Sequence, residues 1–189
     1  MTLLPFVRWL AGTPGSTALH ESTYAYPLVE SAHVLTLCVF LGLAVMWDLR
    51  LLGMTLTNVP MSQLKERLGP WMTGGFIVMV ITGSMLFYAI PVRSYQSIWF
   101  RMKAVALVLA GLNAFMFHRT IDRRIEEWDE DPVPPRAARL AGVRSLVIWT
   151  IIVVAGRMIA YNWFDCDKQP QSALVNTLAG CVVDAEGAP

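Results

Sequence analysis

Four long apolar runs dominate this sequence and limit the folds open to it. The second run contains no charged residue, and all four approach the roughly 20 residues that a helix needs to cross a hydrocarbon core about 30 Å thick. The mean hydropathy of +0.49 and the low charged fraction of 15% are typical of a multi-pass membrane protein. We therefore predict an all-α, integral membrane four-helix bundle in a single domain, residues 1–189. The expected spans are residues 28–47, 71–92, 97–118 and 145–164, followed by a tail, 165–189.

Positive charge sets the expected orientation of this bundle. The two loops between spans one and two and between spans three and four hold most of the Lys and Arg residues, which the positive-inside rule places in the cytoplasm. Both termini then lie on the outer, periplasmic side of a bacterial inner membrane. The opening residues, MTLLPFVRWLAG, are too short and too interrupted for a cleavable signal peptide. They predict a short interfacial helix anchored by Phe6 and Trp9.

The tail after the fourth span contains two cysteines, Cys166 and Cys181. In an oxidising periplasm they can close a disulfide loop. Two unpaired thiols remain the alternative.

Ionisable side chains inside the apolar runs are candidate functional groups, because they persist in a membrane only when they are paired or line a cavity. They sort into two levels by their depth in the spans. The outer group is Glu30, His33, Arg101, Lys103, Arg157 and Tyr161; the inner group is Asp48, Arg50, His118 and Arg119.

Helical spacing supports the two levels. His33 and Asp48 are 15 residues apart on span one, and Lys103 and His118 are 15 apart on span three. Spans one and three run parallel, so His33 shares the outer level with Lys103, and Asp48 shares the inner level with His118. The levels are roughly 22 Å apart by helical rise. His33 and His118 therefore cannot ligate opposite faces of one haem.

Several ligand arrangements remain open. His33 is the first candidate ligand of an outer b-type haem, with Lys103, a methionine or His20 as its second ligand, and Arg157, Lys103 and Arg101 suit the propionates. His118 is either the ligand of an inner haem or a hydrogen-bond partner of Asp48. Alternatively, His33 only pairs with Glu30, three residues earlier on the same helical face. Copper is a weaker candidate, since the methionines are scattered and form no closely spaced pair of the Cu(I) type.

Two stretches carry a family resemblance: TPGSTALHESTYAYPLVESAHVLTLCVFLGLAVMWDLRLLG and IWFRMKAVALVLAGLNAFMFHR. They resemble a widespread, functionally uncharacterised family of four-span bacterial membrane proteins. The pairing of a first-span histidine with W-x-x-x-K and a later histidine is also similar to HemJ-type protoporphyrinogen oxidases, which bind haem, and to CopD-like copper-resistance domains. The HemJ-like resemblance implies that the important positions are His33 and Lys103.

We accordingly expect a cytochrome b-like protein with one or two haems between its helices. It would exchange electrons with quinone or with a periplasmic electron carrier, with Glu30 as a counter-charge or proton partner of the outer group and Tyr161 beside it. The competing expectation is a non-redox membrane protein: a transporter of copper or small solutes, or a structural subunit of a larger membrane complex. The net charge of +1 gives no indication of nucleic-acid binding, and the sequence contains no hydrolase, P-loop or dinucleotide motif.

Overall fold

Helices make up the regular structure of the part of the chain that the computed structural model describes, residues 3–161, 163–164, 166–167 and 169–181. The eight α-helices in this part are α1 (Leu4–Ala11), α2 (Pro14–Glu21), α3 (Ala25–Leu51), α4 (Met61–Ala89), α5 (Pro91–Tyr95), α6 (Ile98–Met116), α7 (Arg136–Ile159) and α8 (Ala173–Ala179). Helix α6 continues as a π-helical turn, Phe117–Ile121, and a 3₁₀ segment, Asp122–Glu127.

Four of these helices, α3, α4, α6 with its extension, and α7, are long and apolar enough to cross a membrane. The 27 residues of α3 span roughly 40 Å, more than the thickness of a hydrocarbon core. Most large apolar side chains on these helices are exposed, as expected for surfaces in contact with lipid. The predicted all-α fold with four spans is confirmed, and the chain is a multi-pass membrane protein.

Helices α3 and α7 form the centre of the bundle. Helix α3 packs against α4 on one side and α7 on the other, α7 packs against α6, and the backbones of α4 and α6 barely approach each other. The middle of the bundle is filled by Phe40, Ala44, Met79, Ala106, Trp149 and Ile152. We call the end that carries α1, α2 and α8 the upper end, and the end with the loops at 52–60 and 128–135 the lower end.

Helix α4 is longer than the sequence predicts. The predicted span begins at residue 71, but α4 begins at Met61 and runs through Pro70 without a break. Proline removes one backbone hydrogen bond and normally ends or kinks a helix. Here tertiary contacts hold the first turns in place, because Met61 and Leu64 are buried in an apolar cluster at the lower end.

A fully buried arginine forms hydrogen bonds with both lower loops. Arg50, near the end of α3, donates from Nε to the carbonyl of Val59 (3.0 Å) and from Nη2 to the carbonyl of Asp131 (3.2 Å). The Asp129 carboxylate accepts hydrogen bonds from the backbone N–H and the hydroxyl of Ser62, both at 2.6 Å. The polar loop between α6 and α7 is thus fixed to the start of α4.

At the upper end, Cys166 and Cys181 form a disulfide, as expected from one of the two sequence alternatives. Arg101 of α6 donates from Nη1 to the carbonyl of Leu178 (2.8 Å), close to the left-handed Gly180 that ends α8. The tail is therefore attached to the start of α6 by a charge-assisted hydrogen bond.

Arg50→Ala is expected to lower the free energy of unfolding by about 2–3 kcal/mol, because it leaves buried carbonyl groups without their charged donor. The measurement is the thermal unfolding midpoint of detergent-purified protein. Arg144→Ala is the matched control, since the Arg144 side chain is exposed and its hydrogen bond is to Leu140 of its own helix. Equal midpoints for the two variants would contradict the role given to Arg50.

Candidate cofactor site at the upper end

His33 lies on α3 in the upper half of the bundle and is fixed by α4. Its Nδ1 is 2.8 Å from the hydroxyl oxygen of Thr82. The hydroxyl of Thr82 is also placed to donate its single proton to the carbonyl of Val78, 2.7 Å away in the preceding turn. When Thr82 donates to Val78, its oxygen accepts from His33, and the proton of the neutral imidazole is on Nδ1. Nε2 keeps its lone pair, which is the form in which histidine binds a metal or accepts a proton.

Close contact between α3 and α4 at this point depends on a glycine. A Cβ atom at Gly83 would lie 3.2 Å from Cε1 of His33, tighter than ordinary van der Waals contact. Because Gly83 has no side chain, the His33 imidazole can pack directly against α4.

Lys103 approaches the same region from α6. Its side chain is half-buried, and its charge interacts electrostatically with His33. Its Nζ lies 3.5 Å from the position that a Cβ would take at Gly156 on α7. No acceptor for this ammonium group occurs within the described residues. His33, Thr82, Gly83, Lys103 and Gly156, which come from all four spans, form what we call the upper polar centre.

Glu30 does not pair with His33. It lies one turn nearer the upper end, is exposed, and interacts electrostatically with Tyr26. Among the described residues no hydrogen bond or ion pair joins Glu30 to His33, so the structure does not support the sequence alternative in which His33 is only the partner of Glu30.

The remaining residues of the predicted outer group are engaged with other partners. Arg157 is exposed, donates to the hydroxyl of Tyr161 (3.1 Å) and lies over its ring at 5.0 Å. Arg101 contacts the tail and the Tyr95 ring. His20 packs edge-on against Tyr26 beside a surface cavity of about 380 Å³.

The predicted inner pair does not form. His118 is 62% exposed, and its Nδ1 lies 3.2 Å from the carboxylate of Asp122, which Lys65 also contacts. The inward position at this level of α6 belongs to Phe117, which packs edge-on against Trp47. The next residue along the helix points about 100° away from it. Asp48 is instead buried between α3 and α7.

Across residues 3–161, 163–164, 166–167 and 169–181, no group of three or more His, Cys, Asp or Glu side chains is arranged to hold a metal ion. A haem needs less from the protein, since the porphyrin supplies four ligands and the chain only the axial ones.

Sequence reasoning did not include Thr82 in the site. A polar residue followed by glycine in an otherwise apolar run, VITGSM, was the available signal.

Comparison with known proteins gives one match. No curated protein and no solved structure matches the chain. Residues 16–162, which include all four spans and the upper polar centre, match the family of unknown function DUF6644. The uncharacterised family of multi-span proteins expected from the sequence is consistent with this match. The chain belongs to the DUF6644 family.

Proposed function

We propose that this protein is a membrane cytochrome of the b type, in which His33 is an axial ligand of a single haem at the upper polar centre. The haem supplies one-electron chemistry, and the protein exchanges those electrons with membrane quinone or with a periplasmic redox partner.

The hydrogen bond from His33 to Thr82 is the observation that carries this proposal. Histidines that bind metals commonly donate their second ring N–H to a fixed acceptor, which sets the tautomer and the orientation of the ring. Thr82 is such an acceptor when its own hydroxyl donates to the carbonyl of Val78.

The ammonium group of Lys103, which has no acceptor among the described residues, supports a ligand that carries an acidic group. A charged side chain in a membrane span is costly unless it meets an opposite charge. A haem propionate would supply that charge beside His33. Arg101 and Arg157 already have partners in the structure, so Lys103 is the proposed contact.

The proposal includes one haem and not two. His118 lies on the exposed surface of α6, with Asp122 and not Asp48 as its partner. The second layer of ligands that an inner haem would require is not assembled among the described residues.

We further propose that the upper end faces the periplasm of a bacterial inner membrane. The disulfide between Cys166 and Cys181 suits an oxidising compartment. The lower end carries the Arg-rich loops. At the upper end, Phe6 and Trp9 of α1 are exposed and adjacent, as expected of a helix that lies in the membrane interface.

His33→Ala is expected to remove the Soret band and the α-band of the reduced protein, because it removes the axial ligand. The measurement is the absorbance spectrum of protein purified in mild detergent from haem-replete cells. His20→Ala is the control, since His20 lies outside the upper polar centre, and its spectrum should match the wild type. A His33→Ala variant with an unchanged spectrum would exclude His33 as the ligand.

Gly83→Leu is expected to reduce haem content severalfold, because its side chain must displace the His33 ring. Gly74→Leu, on the same helix, is the matched control, as nothing lies within 4 Å of a Cβ at that position. The comparison uses haem per polypeptide at equal thermal stability. Equal haem content in the two variants would show that the contact between Gly83 and His33 is unimportant.

Thr23→Cys and Asn58→Cys test the orientation, because they place a thiol in an upper and a lower loop respectively. In intact spheroplasts, a membrane-impermeant maleimide should label Thr23→Cys, whereas Asn58→Cys should react only after the membrane is opened. The reverse pattern would place the upper end in the cytoplasm.

A further inference from the structure

A second polar feature lies in the lower half of the bundle, away from the upper polar centre. A cavity of about 180 Å³ separates α3 from α7. Its α3 wall includes Leu41 and Val45, and its α7 wall includes Trp149 and Val153. Asp48 also lines this cavity, and it is the one acidic residue that does so.

Asp48 has an unused hydrogen-bonding atom. Its side chain is 3% exposed, and its Oδ2 has no hydrogen-bond partner among the described residues. Ser145 of α7 interacts with the same carboxyl group and so accounts for only part of its hydrogen-bonding capacity. A buried oxygen without a partner is costly, and a bound molecule that shares a hydrogen bond with this carboxyl group would offset that cost.

The walls of the cavity restrict the kind of molecule that fits. A cavity of about 150 Å³ in another protein holds one benzene ring, so about 180 Å³ accommodates a single six-membered ring. The indole of Trp149 forms part of the wall and is held by Phe40, with the ring centroids 4.8 Å apart. Aromatic rings pack favourably against such a surface.

We propose that this cavity binds the head group of a membrane quinone, with one ring oxygen hydrogen-bonded to the carboxyl group of Asp48. A carboxyl group accepts from the hydroxyl of a quinol when ionised and donates to the carbonyl of a quinone when protonated, so both redox forms find a partner. The apolar chain leaves between α3 and α7 along the exposed Val154 and enters the lipid. The choice of quinone rests on the electron-transfer function proposed above.

The test uses the full chain in nanodiscs of defined phospholipid, titrated with decylubiquinone. Asp48→Leu removes the hydrogen bond, and Val45→Trp fills the cavity while leaving Asp48 in place. Each is expected to weaken binding about tenfold or more. Val39→Trp is the matched control on α3, because Val39 is exposed and does not line the cavity, and its affinity should equal that of the wild type.

Two further results locate the site. A photoreactive azidoquinone should cross-link to peptides of α3 and α7, and His33→Ala should lose haem but bind decylubiquinone as the wild type does. The last result separates the two proposals. Wild-type protein that contains haem but binds no quinone would overturn this inference alone. Unchanged affinity in both Asp48→Leu and Val45→Trp, or phospholipid as the sole occupant of the cavity, would also overturn it.

Discussion

The hydrogen bond between His33 and Thr82 connects α3 to α4 within the membrane, where hydrocarbon offers no alternative hydrogen-bond partner. In hydrocarbon, a polar side chain must be satisfied by the protein or by something the protein binds. Thr82 satisfies Nδ1 of His33 when its own hydroxyl donates to the carbonyl of Val78. That arrangement leaves Nε2 of His33 available to bind a metal and fixes the orientation of the imidazole ring. The proposed haem site depends on this one geometry, and Gly83 makes the approach of α3 to α4 possible.

Charged residues at the two ends of the bundle differ in whether the protein supplies their hydrogen-bond partners. At the lower end, Arg50 is fully buried, and backbone carbonyls satisfy much of its guanidinium, so the group stabilises the loops. At the upper end, Lys103 has no partner within the described part of the chain, although its charge acts on His33. Asp48 likewise has an unsatisfied oxygen beside a cavity. Arg50 therefore has a structural role, whereas Lys103 and Asp48 are the charged residues on which the two binding proposals rest.

Length and hydropathy were sufficient to predict the four spans, because a membrane imposes a minimum run of apolar residues. Depth along each span placed His33 and Lys103 at one level, and in the structure the charge of Lys103 acts on His33. The side of each helix on which a residue lies, inward or outward, was less predictable. The π-helical turn that begins at Phe117 and the packing of that ring on Trp47 put His118 outside, and no simple spacing rule contains this information. The continuous α4 through Pro70 also depended on tertiary contacts of Met61 that a local pattern does not reveal.

The most direct test of the account is the amount of haem b bound to each purified polypeptide, determined by the pyridine haemochrome method on protein from haem-replete cells. A single His33-ligated site predicts a ratio approaching one. A ratio near two would mean that the lower end also binds haem, against the exposed position of His118. Folded protein without haem would contradict the central claim and favour a membrane protein without a redox function.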